Sequence, residues 1–227
     1  MEQKPIVAMQ SVGFRYSPER EILKDIDLAI RPGEFYFLTG TSGAGKTTFL
    51  NLVNLTLRPT RGMARVFGHS TEDSTADERA GIRRRIGVVF QEYRLLNHLS
   101  VLENVSLPLR VTGKGDKYIR THVPELVEWV GLKRQMHRSP AELSGGEQQR
   151  AAIARAVINN PEILIADEPT GNVDDEMASK LLFLFLELNK MGTTVIIATH
   201  SKNLIRQLHF PVLRLVDGKM IREDPYA

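Results

Sequence analysis

Phe35-Tyr36-Phe37-Leu38-Thr39-Gly40-Thr41-Ser42-Gly43-Ala44-Gly45-Lys46-Thr47 decides the fold. Phe35 to Leu38 form a continuous apolar run of the kind carried by a strand buried on both faces. Residues 40–47 fit the pattern GxxxxGK(S/T), and apolar residues recur at helical spacing from Lys46 to Leu55. Strand, glycine loop, helix is the context a phosphate-binding loop requires. Its glycines let successive backbone N–H groups turn inward around phosphate oxygens, and the helix N-terminus adds a favourable partial charge. Lys46 then supplies a cation for the β and γ phosphates, and the Thr47 hydroxyl a ligand for Mg²⁺.

Working outward, the strands on either side set the class. Before the loop come three apolar bursts, Ile6 to Met9, Val12 to Tyr16 and Ile26 to Ile30, separated by polar and turn residues such as Ser17-Pro18. They read as antiparallel strands. Far downstream, Ile163 to Ala166 and Val195 to Ala198 are two more buried-type strands, with the helical pattern of Glu176 to Lys190 between them, which is a βαβ unit. From about Leu95 to Asn160 the pattern turns helical, with Lys117 to Val130 and Glu147 to Val157 as the clear helices. Residues 69–80 read as a surface loop passing into a short helix, and Val212 to Ile221 as a terminal hairpin around Asp217-Gly218. The expected fold is α/β: an N-terminal antiparallel β subdomain, a mostly parallel core sheet and a helical insert. The boundaries are 1–92 and 161–227 for the core and 93–160 for the insert.

A phosphate loop does not distinguish kinases, GTPases and ATP-driven machines, so the other polar residues must. The strand Ile163 to Ala166 ends in Asp167-Glu168, at the carboxyl edge where open α/β sheets bind ligands. Asp167 is the candidate for the Mg²⁺ shell, and Glu168 for the general base that polarises an attacking water. An acidic turn leading into Pro169 is the plainer reading of the same residues. His200 follows the last buried strand and emerges on the same edge, within reach of a γ phosphate and the carboxylate. Gln91, just after the strand-like Ile86 to Phe90, is placed to reach both Mg²⁺ and the water.

Composition narrows the remaining choices. The 227 residues contain no cysteine, which excludes a disulfide framework, a thiolate zinc site, an iron–sulfur cluster and a cysteine nucleophile. Thirty Lys plus Arg against 27 Asp plus Glu give a net charge of +3, too little to argue for a polyanionic partner. The longest apolar run, Leu181 to Leu186, falls far short of the roughly 20 residues needed to cross a bilayer. Met1 to Pro5 lead into no signal-peptide pattern, so export is not expected.

Leu143-Ser144-Gly145-Gly146-Glu147-Gln148-Gln149 is the stretch that points to a family. Ser144 with Glu147 three residues later is a capping box, and the same helix N-terminus can bind an anion, a second phosphate end in one chain. With it the chain resembles the nucleotide-binding subunit of ATP-binding cassette systems over nearly its whole length. By that resemblance residues 40–47 are the Walker A motif, Gln91 the Q-loop, residues 143–149 the signature, 163–168 Walker B, 171–174 the D-loop and His200 the switch histidine. The family pairs two domains head to tail around two ATP molecules, so that one signature completes the other chain's Walker A site. The resemblance therefore implies ATP and Mg²⁺ as cofactors and a homodimer in the ATP-bound state. It implies a catalytic set of Glu168, His200, Gln91 and Lys46. Nucleotide contacts would come from Tyr16, Gly40, Thr41, Ser42, Gly43, Ala44, Gly45, Lys46, Thr47, Thr48 and Gln91, with Ser144, Gly145, Gly146, Glu147 and Asp174 serving across the dimer. Metal contacts would come from Thr47, Gln91 and Asp167. Tyr16 is expected to stack on adenine, and Phe14, on the same strand face, to be core.

The D-loop Gly171-Asn172-Val173-Asp174 and the Glu147-Gln148-Gln149 context look like the subgroup of lipoprotein-extraction, macrolide-efflux and cell-division ATPases. Residues 37–46 and Leu57 to Gly62 most resemble the cell-division branch. That implies a peripheral protein at the cytoplasmic face of the plasma membrane, at the division site, moving a transmembrane partner that acts indirectly on peptidoglycan hydrolases. Tyr93 to Val105, with Leu95, Leu96, Leu99, Val101 and Leu102, is either the surface where that partner docks or ordinary core. Two departures from the family stand out: Ser201 in place of the usual aspartate, and Val173 in place of leucine. A nucleic-acid machine is disfavoured by the single cassette and the lack of a heptad array, and no nucleic-acid partner is expected. A small-molecule kinase has no use for residues 143–149.

Overall fold

The computed structural model describes residues 4–224, so Met1 to Gln3 of the leader reading and Pro225 to Ala227 of the core segment lie outside the described residues. Two sheets carry the chain. The first is antiparallel, in the order β2-β1-β4-β5, from β1 (Val7–Ser17), β2 (Arg20–Ile30), β4 (Arg61–Val66) and β5 (His69–Ser70). The second has the order β10-β9-β3-β8-β7-β6. Its strands β6 (Ile86–Val89), β7 (Ile163–Asp167), β8 (Thr194–Ala198), β3 (Phe35–Gly40) and β9 (Val212–Val216) run parallel. The hairpin strand β10 (Lys219–Glu223) closes one edge antiparallel to β9.

The expected three N-terminal strands are two. Ile6 to Met9 and Val12 to Tyr16 belong to one strand, with Ser11 at φ 46 and a register shift between Met9 and Val12 marking a bulge. A bulge lets a strand continue past residues that break its alternation, so the gap in the apolar pattern was not a turn. The strand β4 was also unforeseen, because Arg61-Gly62-Met63-Ala64-Arg65 shows little apolar alternation; it forms because its backbone completes the ladder beside β1.

Period-two alternation along the parallel strands divides the core. Tyr36 and Leu38 of β3 face one way, with Ile163, Ile165 and Ile196, and pack on the antiparallel sheet and on α1 (Lys46–Val53). Phe35 and Phe37 face the other way, with Leu164, Ala166 and Val195, onto α5 (Gly145–Val157) and α6 (Asp175–Lys190). A third cluster lies within the insert, where α3 (Val101–Val111) and α4 (Asp116–Trp129) pack with α5 through Val101, Val105, Leu109, Ile119, Val123 and Ala151. The remaining α-helices among the described residues are α2 (Ala76–Arg83) and α7 (Lys202–Leu208). The apolar pattern of residues 95–116 sets no bounds for α3. Pro108 sits inside it, yet Ser100 and Glu103 form a full capping box at its start. Among the described residues no helix is long and apolar enough to cross a membrane.

Candidate functional site

The register of the parallel sheet assembles the site. Leu38 pairs with Ala198, and Asp167 pairs with Ala198 on the other side, so Leu38 of β3 and the last residues of β8 and β7 lie in one row. One residue beyond the row is Glu168 and two beyond are Gly40 and His200, at one sheet edge. These residues border a cleft of about 690 Å³ with Thr41, Ser42, Gly43, Gly45, Lys46, Thr47 and Thr48 of the loop and α1, and with Tyr16, Gln91 and Asp167. That volume lies within the ordinary range for small-molecule sites.

The loop geometry explains its composition at two positions. Gly40 has φ 152, and a Cβ there would sit 2.8 Å from the Leu215 carbonyl. Gly45 has φ 104, and a Cβ would meet Leu23 Cδ2 at 2.9 Å. As the N-cap of α1, Gly45 offers no side chain to the first N–H groups of the helix, which has no acidic residue in its first turn. The Ala44 N–H donates back to the Thr41 carbonyl (3.1 Å). The Lys46 ammonium donates to the carbonyls of Gly40 (2.9 Å) and Thr41 (3.3 Å), which holds a cation over the loop.

The carboxylates sit as differently as the sequence suggested. Asp167 is 7% exposed and accepts the Thr47 hydroxyl at 2.9 Å. Burial pushes its carboxyl up from the usual range; the Thr47 hydrogen bond opposes this, the neighbouring Glu168 charge adds to it and Lys46 opposes it. A hydroxyl and a carboxylate oxygen held together suit a hard divalent cation. Among the described residues no three His, Cys, Asp or Glu side chains group to hold a metal, so a cation beside Thr47 and Asp167 would take the rest of its shell from neutral or substrate groups such as the Gln91 amide, phosphate and water. Glu168 instead reaches His200, with Nδ1 to Oε1 at 2.8 Å. Its backbone is left-handed at φ 52, which costs a non-glycine residue about 1 kcal/mol or more.

Tyr16 and Phe14 divide between cleft and core. Phe14 is buried and Tyr16 exposed, their rings 4.8 Å apart edge to face, and the Tyr16 hydroxyl is 3.2 Å from the Thr48 hydroxyl. Arg20, also at the cleft, is not among the residues the sequence points to; its signal is the hairpin turn that sets it opposite Ser17, the residue after Tyr16.

Ser144, Gly145, Gly146, Glu147 and Asp174 do not border the cleft. The Glu147 carboxylate accepts the Ser144 N–H (2.8 Å) and hydroxyl (2.9 Å) and the Gln135 amide (2.7 Å), and the Ser144 hydroxyl accepts the Glu147 N–H (3.3 Å). Asp174 caps α6 by accepting the Met177 N–H at 2.8 Å. The departures have local uses: the Ser201 hydroxyl caps α7 from the Leu204 N–H (3.4 Å), and Val173 packs against the second core.

Much of Tyr93 to Val105 is core, since Val101 and Val105 are buried in the insert and Leu95 and Leu102 pack on them; Leu96 is exposed. The concave surface nearby is different. A cleft of about 510 Å³ between insert and core is lined by apolar Phe90, Leu107, Pro108 and Val111 and by Arg83, Arg84 and Arg94.

Comparison with known proteins follows the same lines. The family described as ABC transporter matches residues 23–171. The chain is 43% identical over 220 residues, 96% of each chain, to the cell division ATP-binding protein FtsE of Mycobacterium tuberculosis. It is 41% identical to the protein of the same name from Escherichia coli K12, over 95% of this chain and 97% of that one. Among solved structures, an ATP-binding cassette described as a dimer in a post-hydrolysis state bound to ADP and Pi superimposes with a TM-score of 0.90. It is 37% identical, over 96% of this chain and 98% of the other.

Proposed function

The chain belongs to the ABC transporter family, and from that premise we propose that it is the ATP-hydrolysing subunit of a cell-division membrane complex. The observation that carries the chemistry is the row at the ends of β3, β7 and β8, which brings Lys46, Thr47, Asp167, Glu168 and His200 to one cleft. ATP enters with its adenine on the exposed ring of Tyr16 and its phosphates in the loop, where backbone N–H groups and Lys46 take up their charge. Thr47 and Asp167, with Gln91, would hold Mg²⁺, and the ion would supply positive charge against the charge developing on the phosphates. Glu168 orients the attacking water and takes its proton, while His200 fixes the Glu168 carboxylate and faces the transferred phosphoryl group.

The signature helix end lies outside its own cleft, so it acts on the ATP held by a second copy, in a head-to-tail homodimer closed by ATP. In this reading the chain works at the cytoplasmic face of the plasma membrane at the division site, with an FtsX-like transmembrane partner through which dimer closure controls peptidoglycan hydrolysis; its likeness to proteins named cell division ATP-binding protein FtsE supports that reading. A cleft lined by apolar side chains together with Arg83, Arg84 and Arg94 suits an amphipathic, acidic segment of that partner.

Glu168→Gln should keep ATP binding and abolish hydrolysis; unchanged turnover removes Glu168 from its role. The same variant, trapped with ATP in native membranes and purified, should bring down an FtsX-like protein. An export permease in its place would make the chain a lipoprotein- or macrolide-export ATPase with the same chemistry.

A further inference from the structure

Gln149 lies one turn into α5, is 2% exposed and has no place in the scheme above. Both ends of its amide are used. Nε2 donates to the Glu168 carbonyl at 3.0 Å, and Oε1 accepts the Asn172 N–H at 3.2 Å. The partners fix the amide's orientation, because a carbonyl only accepts and a backbone N–H only donates. The Glu168 carbonyl also accepts the Gly171 N–H (3.3 Å), and the Glu168 N–H donates to the Ala198 carbonyl (2.9 Å). The left-handed backbone that aims Glu168 at His200 is therefore held from β8, from residues 171–172 and from α5.

The chain of contacts goes on. The Asn172 side-chain amide donates to the Tyr93 hydroxyl at 2.7 Å. Tyr93 and Arg94 are themselves left-handed, at φ 57 and 51, and the Arg155 guanidinium on α5 donates to both their carbonyls at 2.7 Å. The Tyr93 N–H closes the turn containing Gln91 by donating to the Phe90 carbonyl (3.0 Å). Gly146 permits the approach, since a Cβ there would meet the Asn172 carbonyl at 2.7 Å.

We propose that Gln149 is a positioning residue for hydrolysis, tying the Glu168 backbone to residues 171–174 and, through Asn172 and Tyr93, to the turn that carries Gln91. The inference rests on Glu168 acting in ATP hydrolysis. A side chain of the same length without the amide, Gln149→Met, frees the Glu168 carbonyl on one side and leaves the Asn172 N–H unpaired.

The test measures kcat per folded molecule, nucleotide affinity and KM in wild type, Gln149→Met and Glu168→Gln. Gln149→Met should lower kcat about ten- to a hundredfold while nucleotide affinity stays within about twofold. A merely structural glutamine would lower the folded fraction and leave kcat per folded molecule within about twofold, which overturns the proposal. So would a parallel loss of nucleotide affinity. If Gln149→Met does not fold, a cycle of Tyr93→Phe, Asn172→Ala and the double variant decides. Each single change should slow turnover several-fold, with the double variant no slower than the slower single. Effects that multiply would overturn the network. Full turnover by Glu168→Gln would bring down the reading of the site and this inference with it. An inert Glu168→Gln beside a normal Gln149→Met would remove the inference alone.

Discussion

The N-termini of α1 and α5 are built from similar stretches, Gly40 to Lys46 and Ser144 to Glu147, and reach opposite electrostatic states. The first turn of α1 holds no carboxylate, its cap is a glycine and its first residue is Lys46. The first turn of α5 is closed from within, because the Glu147 carboxylate already takes the Ser144 N–H and hydroxyl. The same Ser/Thr–Glu box closes α2 and α3. A helix N-terminus invites an anion in every case, and what differs is whether the chain supplies its own. On the proposed function α1 would bind phosphate unaided, whereas a phosphate reaching α5 from a second copy would compete with Glu147, which the family resemblance counts among the nucleotide contacts.

The largest effect should come from removing the cation at the open end. Lys46→Ala deletes a charged donor to the phosphates, and ATP affinity, read by calorimetry, should fall on the order of tenfold to a hundredfold. Removing the carboxylate at the closed end with Glu147→Gln should leave ATP affinity of the monomer where it was and favour the ATP-bound dimer. If Lys46→Ala binds ATP as tightly as wild type, the two ends are not different in kind.

How far the difference could be read from the sequence depends on what each motif needs. The phosphate loop was legible because strand, glycines, lysine and helix are contiguous, and Asp167, Glu168 and His200 because each directly follows a strong apolar strand. Ser144 and Glu147 were legible as a capping box, but not that Gln135 adds a third hydrogen bond to the same carboxylate, since that contact spans 12 residues. Gln149, Tyr93 and Asn172 come from three segments that only the packing of α5 against the parallel sheet brings together. Strand β4 was hidden because backbone pairing with β1, rather than an apolar face, makes it a strand.

Next in size are two stability changes, read from urea midpoints. Gly45→Ala forces a Cβ onto a φ of 104 and against Leu23, and should cost about 1–3 kcal/mol. Ser144→Ala removes one cap hydroxyl and should cost about 1 kcal/mol. Gly45→Ala should also weaken ATP binding by moving the loop, whereas Ser144→Ala should not in the monomer. A larger stability loss from Ser144→Ala would place the tighter constraint at α5 and reverse the ranking.

The smallest effects are separated by sign rather than size. The Glu147 carboxyl is held below its usual value of 4.5, chiefly by the Ser144 N–H, so its contribution is present above that value and lost as pH falls through the lower folded value. The Asp167 carboxyl is held above its usual 3.8, chiefly by burial, so ionising it weakens the nucleotide-free fold. That cost is absent below 3.8 and fully present once the pH exceeds the raised folded value. At neutral pH, without nucleotide, Asp167→Asn should therefore raise the unfolding midpoint and Glu147→Gln should lower it. Both differences from wild type should shrink as the buffer is taken down to about pH 3. Two shifts of the same sign at neutral pH would mean that the carboxylate at the open end is stabilised as the one at the closed end is, and the contrast between the two helix ends would fail at its electrostatic root.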